Sequence, residues 1–392
     1  MCSIDLSYNE LNCMIFGDNT RLKDINLSSN AIYNMCWKGC PELLEKINLS
    51  NNLIMDVRWD KCIKNLKCIE LYSNEIQYIN WDNCPRTLIK INLDHNNIAN
   101  MNWTNCPVEQ MYLNSNRISE IYWEDCPNHI KLVSLNRNNI SEITWEDCPN
   151  SLETLSLYDN AISDMNWYNC PRSLKKLNIG GNLLDDFVWT NSPNHIQTII
   201  LDDNQITNFS WKDSPRNLRR VSLANNLIST FSWKDCPETL QELNFECNNL
   251  TNFNWTNCPR TLKILKLGQN KLTSFNWKNC PRSLEKIYLN NTLVTDIDWK
   301  GCPNCIDIDI DVSYVNNMNV DRVNDNYWYN CPLDVKFTDE DTQYYFELYK
   351  ERYNAIVKIQ RACHNWIWKP ICNDGTIGIR PMLDMKNLGI SK

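Results

Sequence analysis

From Trp37 onward the chain says one phrase over and over. As it stands at 255–276 the phrase is W-x-x-C-P-x-x-L-x-x-L-x-L-x-x-N-x-L-x-x-F-x, and Trp277 starts it again. Thirteen Trp mark the register, at 37, 59, 81, 103, 123, 145, 167, 189, 211, 233, 255, 277 and 299, and eleven of the twelve intervals are 22 residues. The exception, 103 to 123, is 20, because Cys106-Pro107 runs straight into Val108-Glu109-Gln110-Met111 and two residues are lost before the next strand. A fixed period of this size is the mark of a solenoid, in which each copy touches only its neighbours and one continuous core grows with length. The 392 residues would otherwise suggest two or three ordinary domains. Counted on the Leu column from Leu6 to Leu289, there are fourteen repeats.

Within a copy, the L-x-L pair (Leu265 and Leu267, for example) alternates at period two and so faces one side of a short strand. Copies in register then stack such strands into a parallel sheet with neighbours ~4.8 Å apart. An Asn column runs 9, 30, 52, 74, 96, 116, 138, 160, 182, 204, 226, 248 and 270. Asn both donates and accepts, which suits a side chain that must satisfy backbone groups inside a buried turn. The column stops at Thr292. The limb carrying Trp and Cys-Pro is predicted to be extended, 3₁₀ or turn, because Pro opposes a helix and 22 residues leave little room for one.

The organisation predicted is a solenoid over 1–302, a degenerate closing unit over 303–337 and a helix with a tail over 338–392. Ile306, Ile308, Ile310 and Val312 still alternate, and Trp328-Tyr329-Asn330-Cys331-Pro332 echoes the motif once more. Thr338-Asp339-Glu340-Asp341 reads as a helix start, with Thr338 as the capping hydroxyl. Tyr349, Tyr353, Ile356, Ile359, Cys363 and Ile367 then recur at helical spacing, and this stripe is expected to cover the open end of the solenoid.

The segment L-x-x-L-x-L-x-x-N-x-L resembles the leucine-rich repeat over roughly residues 1–310. The resemblance implies a β-rich leucine-rich repeat horseshoe of the α/β superclass, with a parallel sheet on its concave face and little convex helix. It also implies a non-enzymatic scaffold that binds a protein through that face. The Pro after the turn is similar to the short repeats of bacterial effectors, and the Trp-x-x-Cys-Pro variant to repeat proteins of giant DNA viruses of the mimivirus kind. On that resemblance the alternative reading is a structural component of a virus particle or an effector acting as a ligase adaptor on host proteins. The ligase domain that such effectors often carry does not fit in the ~55 residues after Thr338. Ile359-Gln360-Arg361 through Lys369 is similar to the IQ motif, which implies a calmodulin-like partner. Ile359, Gln360 and Lys369 match, while His364 and Asn365 replace its central basic-Gly pair.

Composition removes several classes. A net charge of −8 gives no general attraction to nucleic acid. The start, Met1-Cys2-Ser3-Ile4-Asp5-Leu6, has no signal-peptide pattern, and no apolar run is long enough for a membrane span. A cytoplasmic, non-secreted protein is therefore expected, its 20 Cys reduced and its sequons unused. The Cys column at 40, 62, 84, 106, 126, 148, 170, 236, 258, 280 and 302, interrupted by Ser192 and Ser214, reads as small core thiols rather than as a metal site. Cys302-Pro303-Asn304-Cys305 adds only a lone CxxC. The Trp column reads as one large core side chain per rung rather than as a ligand-stacking row, the four His (95, 129, 195 and 364) suggest no catalytic arrangement, and no cofactor is expected.

The candidate binding residues are those predicted to face outward from the strands. They are Asn92, Tyr112, Ser134, Ser156 and Tyr288 between the two Leu positions, and Tyr72, Asp94, Asn114, Asn136 and Tyr158 in the next outward column. Polar, near-neutral and dotted with Tyr, this composition suits a protein interface. Separately, the position after each Trp changes sign along the chain. Asp60, Asp82, Glu124 and Glu146 come early; Lys212, Lys234, Lys278 and Lys300 come late, joined by Arg216, Arg260 and Arg282. Such a stripe could orient a partner.

Overall fold

The computed structural model describes residues 3–14, 16, 21–60, 63–294, 296–304, 306–310 and 331–368, with the backbone alone at 296, 341 and 360–368. Each repeat makes one turn of a solenoid. Its strand is three residues long and centred on the first Leu of the L-x-L pair, as in Ile264–Lys266. Leu265 and Leu267 are both fully buried, so the period-two reading holds. The strands join one parallel sheet of sixteen, from Ser3–Asp5 to Lys336–Phe337. Like position pairs with like position throughout, Leu155 with Leu177 and Ile199 with Val221. Ile91 pairs with Met111 across the short repeat, so the two missing residues shorten the turn and leave the register intact. Two strands, Asp307–Asp309 and Lys336–Phe337, extend the sheet past the Leu column.

The opposite limb is built from two consecutive turns. Cys258 N donates to Trp255 O at 3.0 Å and Leu262 N to Pro259 O at 3.3 Å, and the same pair of bonds recurs in rung after rung. The residue before the Cys sits at positive φ, 66° at Asn257 and 64° at Asp235, where Asn, Asp and Gly are the tolerated types. That is why the motif reads W-x-[N/D/G]-C. Short parallel pairs, Asp56–Val57 with Tyr78–Ile79 and Ser274–Asn276 with Asp296–Asp298, are the only strands described on this limb.

The Trp column lies in the core. Successive rings stack with centroids 6.1 Å apart for Trp59 and Trp81 and 6.0 Å for Trp277 and Trp299. Most of the indoles also donate to the next rung, Trp233 Nε1 to Asn254 O at 2.9 Å and Trp255 Nε1 to Asn276 O at 2.8 Å. Phe231, Phe253 and Phe275 form a second stack beside them. One such aromatic per rung contributes on the order of 2 kcal/mol or more by burial alone.

The Asn column ties the rungs together. Asn226 Oδ1 accepts from Ile206 N of the preceding rung at 3.0 Å, while its Nδ2 donates to Leu201 O at 3.0 Å, Leu223 O at 3.0 Å and Ala224 O at 3.1 Å. Asn52, Asn138 and Asn248 repeat this pattern. Thr292 donates only within its own rung, to Leu289 O at 2.7 Å, which is where the column was predicted to end.

A helix, Glu340–Trp368, closes the C-terminal end. Two details of the sequence reading change here. The cap is Asp339 rather than Thr338: Thr342 N donates to Asp339 Oδ2 at 2.7 Å, while Thr338 N is still held by the strand ladder through Ile308 O at 3.0 Å. The apolar contact with the solenoid is made by the first turns. Phe346 is fully buried and packs edge-on against Phe337 with centroids 4.9 Å apart, and Thr342 Oγ1 bonds Ile310 O at 3.0 Å. Tyr349 follows, half-buried against the core. Tyr353, Ile356 and Ile359 are exposed, so among its described members the predicted stripe meets the core only at Tyr349. A 29-residue helix is ~43 Å long, and its outer half extends beyond the rung that it caps. The side chains of Gln360, Cys363 and Ile367, together with Cys62, Cys305, Trp328, Lys369 and the tail to 392, lie outside the described residues.

Candidate protein-binding face

The strand residue that follows each central Leu or Ile points to the concave side, flanked above and below by the same position of neighbouring rungs. Those columns are therefore half-covered rather than fully exposed, and two small members, Ser134 and Ser222, are buried. Ser134 holds the outward position but is covered by its neighbours, and its Oγ donates to Asn114 Oδ1 at 2.7 Å.

That bond belongs to a chain of them. Asp94 Oδ1 accepts from Asn114 N at 2.7 Å. Asn114 Oδ1 accepts from Asn136 N at 2.8 Å, and Asn136 Oδ1 from both Tyr158 N at 2.8 Å and Ser156 Oγ at 2.7 Å. Asn92 Oδ1 joins by accepting from Asp94 N at 3.0 Å. Seven of the ten predicted residues, Asn92, Asp94, Asn114, Ser134, Asn136, Ser156 and Tyr158, thus form one hydrogen-bonded lattice. Their polarity reads in sequence as readiness for a partner, yet much of it is already used within the chain. The lattice fixes the face rigidly.

The tyrosines frame it. Tyr72 packs edge-on to His95 with centroids 4.9 Å apart. Lys90, held by Glu70 Oε1 at 2.7 Å, lies 5.2 Å from the centre of the Tyr112 ring. Tyr158 is beside Gly180 and Gly181, where an added Cβ would come within 3.2 Å of its ring. The nearby Asp203 carboxylate pushes the Tyr158 hydroxyl pKa up. Tyr288 stands apart, six rungs further on, between Lys266 at 5.1 Å and Lys286 at 4.8 Å. Sequence reasoning places Lys266 in the outward column but misses Lys90 and Lys286 as parts of the face. The register shows two different placements: Lys266 holds the position of Tyr288 one rung earlier, whereas Lys90 stands opposite Gln110, two residues before Tyr112. Burial also raises the carboxyl pKa values of Asp94, Asp202 and Glu246 on this surface.

Away from that face, the position just before the strand carries, in three runs of rungs, charges that alternate and pair: 23 to 67, 109 to 175, and 263 to 285. Glu45 accepts from Lys23 at 2.8 Å and from Lys67 at 2.7 Å, and these two bonds hold its pKa down at about 2. Glu109 pairs with Lys131 at 2.7 Å, Glu153 with Lys175 at 2.9 Å and Lys263 with Glu285 at 2.7 Å.

On the Trp limb, Cys36 before Trp37 is exposed, and the described thiols of the Cys-Pro column are buried or half-buried. Burial pushes their pKa values up, Cys106 to about 12. Among the described residues no group of three or more His, Cys, Asp or Glu side chains could hold a metal ion. No described helix is long and apolar enough to cross a membrane.

The architecture is a leucine-rich repeat solenoid. Solved structures superpose on it through most of its length. A leucine-rich repeat protein of Leptospira interrogans aligns with TM-score 0.61 at 21% identity, over 85% of this chain and 95% of its own. The Toll–Spatzle complex of Drosophila gives TM-score 0.62 at 19% identity over 79% of this chain, which spans 47% of that larger one. The functional domain of InlJ from Listeria monocytogenes, which includes a cysteine ladder, gives 0.57 at 16% identity, over 77% of this chain and 67% of its own. No protein-family model matches the chain, and no curated protein does. Identities this low speak to the fold.

Proposed function

We propose that the protein is a non-enzymatic scaffold that binds a protein through the concave face. The observation that carries this reading is the rigid polar lattice from Asn92 to Tyr158, framed by Tyr72 and Tyr112, with Tyr288 as a second contact point. A surface already ordered loses little side-chain entropy when a partner arrives, and Tyr supplies large contact area with few torsions. The Toll–Spatzle complex shows that a solenoid of this kind can engage a protein. We place the chain in a reducing compartment, cytoplasm or a virus particle assembled there, on the strength of its column of free thiols.

The test is a cross-linking pull-down with three baits: the intact chain, Tyr112→Ala/Tyr158→Ala/Tyr288→Ala, and a control changed on the Trp limb at Thr190 and Thr256. A partner lost by the tyrosine variant and kept by the control supports the reading. A partner kept by the tyrosine variant refutes it.

A second reading concerns the outer half of the helix, where the exposed Tyr353, Ile356 and Ile359 leave an IQ-like stripe accessible to a calmodulin-like protein. Titration of calmodulin with a 352–371 peptide decides that; absence of saturable binding removes it.

A further inference from the structure

The two charged edges of the solenoid are organised differently, and the difference is informative. Before the strands, signs alternate in runs of rungs and pair within the chain. After the Trp, signs are segregated from the second rung on, Lys38 of the first rung being the exception. The residue following each Trp reads, from the second rung of the Trp column to the thirteenth, Asp60, Asp82, Thr104, Glu124, Glu146, Tyr168, Thr190, Lys212, Lys234, Thr256, Lys278, Lys300. All twelve are exposed, on the outer turn where the Trp limb bends back towards the strand. Like charges therefore sit one rung apart, Glu124 by Glu146 and Lys212 by Lys234, an arrangement that repels within one chain. Among the described residues, Asp82, Glu124, Glu146, Lys212, Lys234, Lys278 and Lys300 make no salt bridge.

Read backwards, the column is its own complement. Asp60 meets Lys300, Asp82 meets Lys278, Thr104 meets Thr256, Glu124 meets Lys234, Glu146 meets Lys212, and Tyr168 meets Thr190. Every charged position faces its opposite and every neutral one a neutral. The even rung spacing lets two such columns run antiparallel in register, since consecutive rungs repeat at one pitch from end to end. A two-fold axis between the Tyr168 and Thr190 rungs generates all the pairs at once, as an isologous contact requires. It also brings the exposed rings of both copies of Tyr168 to the centre, where an aromatic anchor is most effective. On the following turn Arg216, Arg260 and Arg282 reinforce the basic half and offset Asp213 and Asp235; Asp125 and Asp147 deepen the acidic half, and Arg86 and Arg172 temper it.

We propose that this ridge is a homodimer interface, and that its partner is a second copy of the same chain packed antiparallel along the Trp limb. Both concave faces stay uncovered, so the dimer presents two binding faces, and the inference stands independently of what they bind.

Sedimentation equilibrium tests it with the full chain and two charge-reversed variants, E124K/E146K and K212E/K234E. The intact chain should dimerise at low ionic strength and weaken as salt screens the pairs. Each variant alone turns four attractive pairs per dimer repulsive, which should raise its dissociation constant about tenfold or more. An equimolar mixture of the two should dimerise again, because each variant's altered half then faces an opposite charge. Circular dichroism checks the fold; should a reversed variant fail to fold, Glu124→Gln and Lys234→Gln carry the test through weakened pairing. A monomeric intact chain overturns the proposal, and so does a dimer indifferent to reversal or a mixture that fails to pair.

Discussion

Asn226→Ala tests what holds the rungs together. Asn226 is 4% exposed, accepts one bond and shares its two amide N–H donors among three carbonyls. The truncation leaves Ile206 N without its partner, in a place that water reaches poorly, while Leu201 O and Leu223 O each lose one of two donors and keep Asn204 Nδ2 and Asn248 Nδ2. A buried polar group left unpaired costs about 1–3 kcal/mol. Ala224 O lies nearer the surface and can turn to solvent. The two carbonyls keep one bond each, so the loss is that of one orphaned N–H and two weakened acceptors, about 3 kcal/mol. Asn226→Thr is the informative companion. Thr292 shows what Thr does at this position: it donates to the Leu three residues before it and does not reach the previous rung. Thr should therefore recover about 1 kcal/mol relative to Ala, and no more. Urea unfolding followed by Trp fluorescence reads both values from the shift of the midpoint at constant slope. The column reasoning fails if Ala stays within about 1 kcal/mol of the intact chain, or if Thr is no better than Ala.

Four further outcomes follow from the same geometry. Trp233→Phe, which removes a 2.9 Å bond to Asn254 O, should destabilise by about 1 kcal/mol more than Trp211→Phe, whose indole N–H is buried without a partner; urea midpoints compare them. Ser192→Cys should raise the melting temperature, because it replaces a buried hydroxyl lacking a partner by the thiol that other rungs carry there. Phe346→Ala should cost about 3 kcal/mol and expose the last rung to aggregation, whereas Ile359→Asp should stay within about 0.5 kcal/mol, as calorimetry and light scattering would show. Burial raises the Asp202 carboxyl pKa above its ordinary value of 3.8, so the folded chain holds that proton more tightly than the unfolded one and loses stability as pH rises through the raised value. Asp202→Asn should accordingly melt higher than the intact chain at neutral pH and show no gain below pH 3.8, in paired thermal scans.

The solenoid was legible because its constraints repeat. A Leu or Trp at one rung is weak evidence, but the same residue at every rung fixes strand, core and register together. Even the 20-residue repeat could be placed, since the loss falls in a turn that stacking does not need in full. What the period could not supply lay at its ends. Thr338 and Asp339 both have cap chemistry, and the choice between them depended on where the last strand released the backbone, at Thr338 N. The stripe from Tyr349 to Ile359 has helical spacing, but only the part near the final rung finds a surface to cover.

The concave face shows a subtler gap between composition and structure. A column of Asn, Asp and Ser read down the sequence looks like unused hydrogen-bonding capacity. In a parallel stack the same atoms repeat at one strand spacing from the next rung, within reach of its backbone N–H, so the lattice from Asp94 to Tyr158 follows from the stacking itself. Charge behaves the same way. Along a column of the solenoid a residue's nearest neighbour is its equivalent 22 residues away. Alternating signs, as at Lys23, Glu45 and Lys67, are therefore satisfied at home. Segregated signs, as at Glu124 and Glu146 against Lys212 and Lys234, have no opposite within one rung. The columns of such a fold, more than its rows, separate the polar groups that stabilise the chain from those left to meet something else.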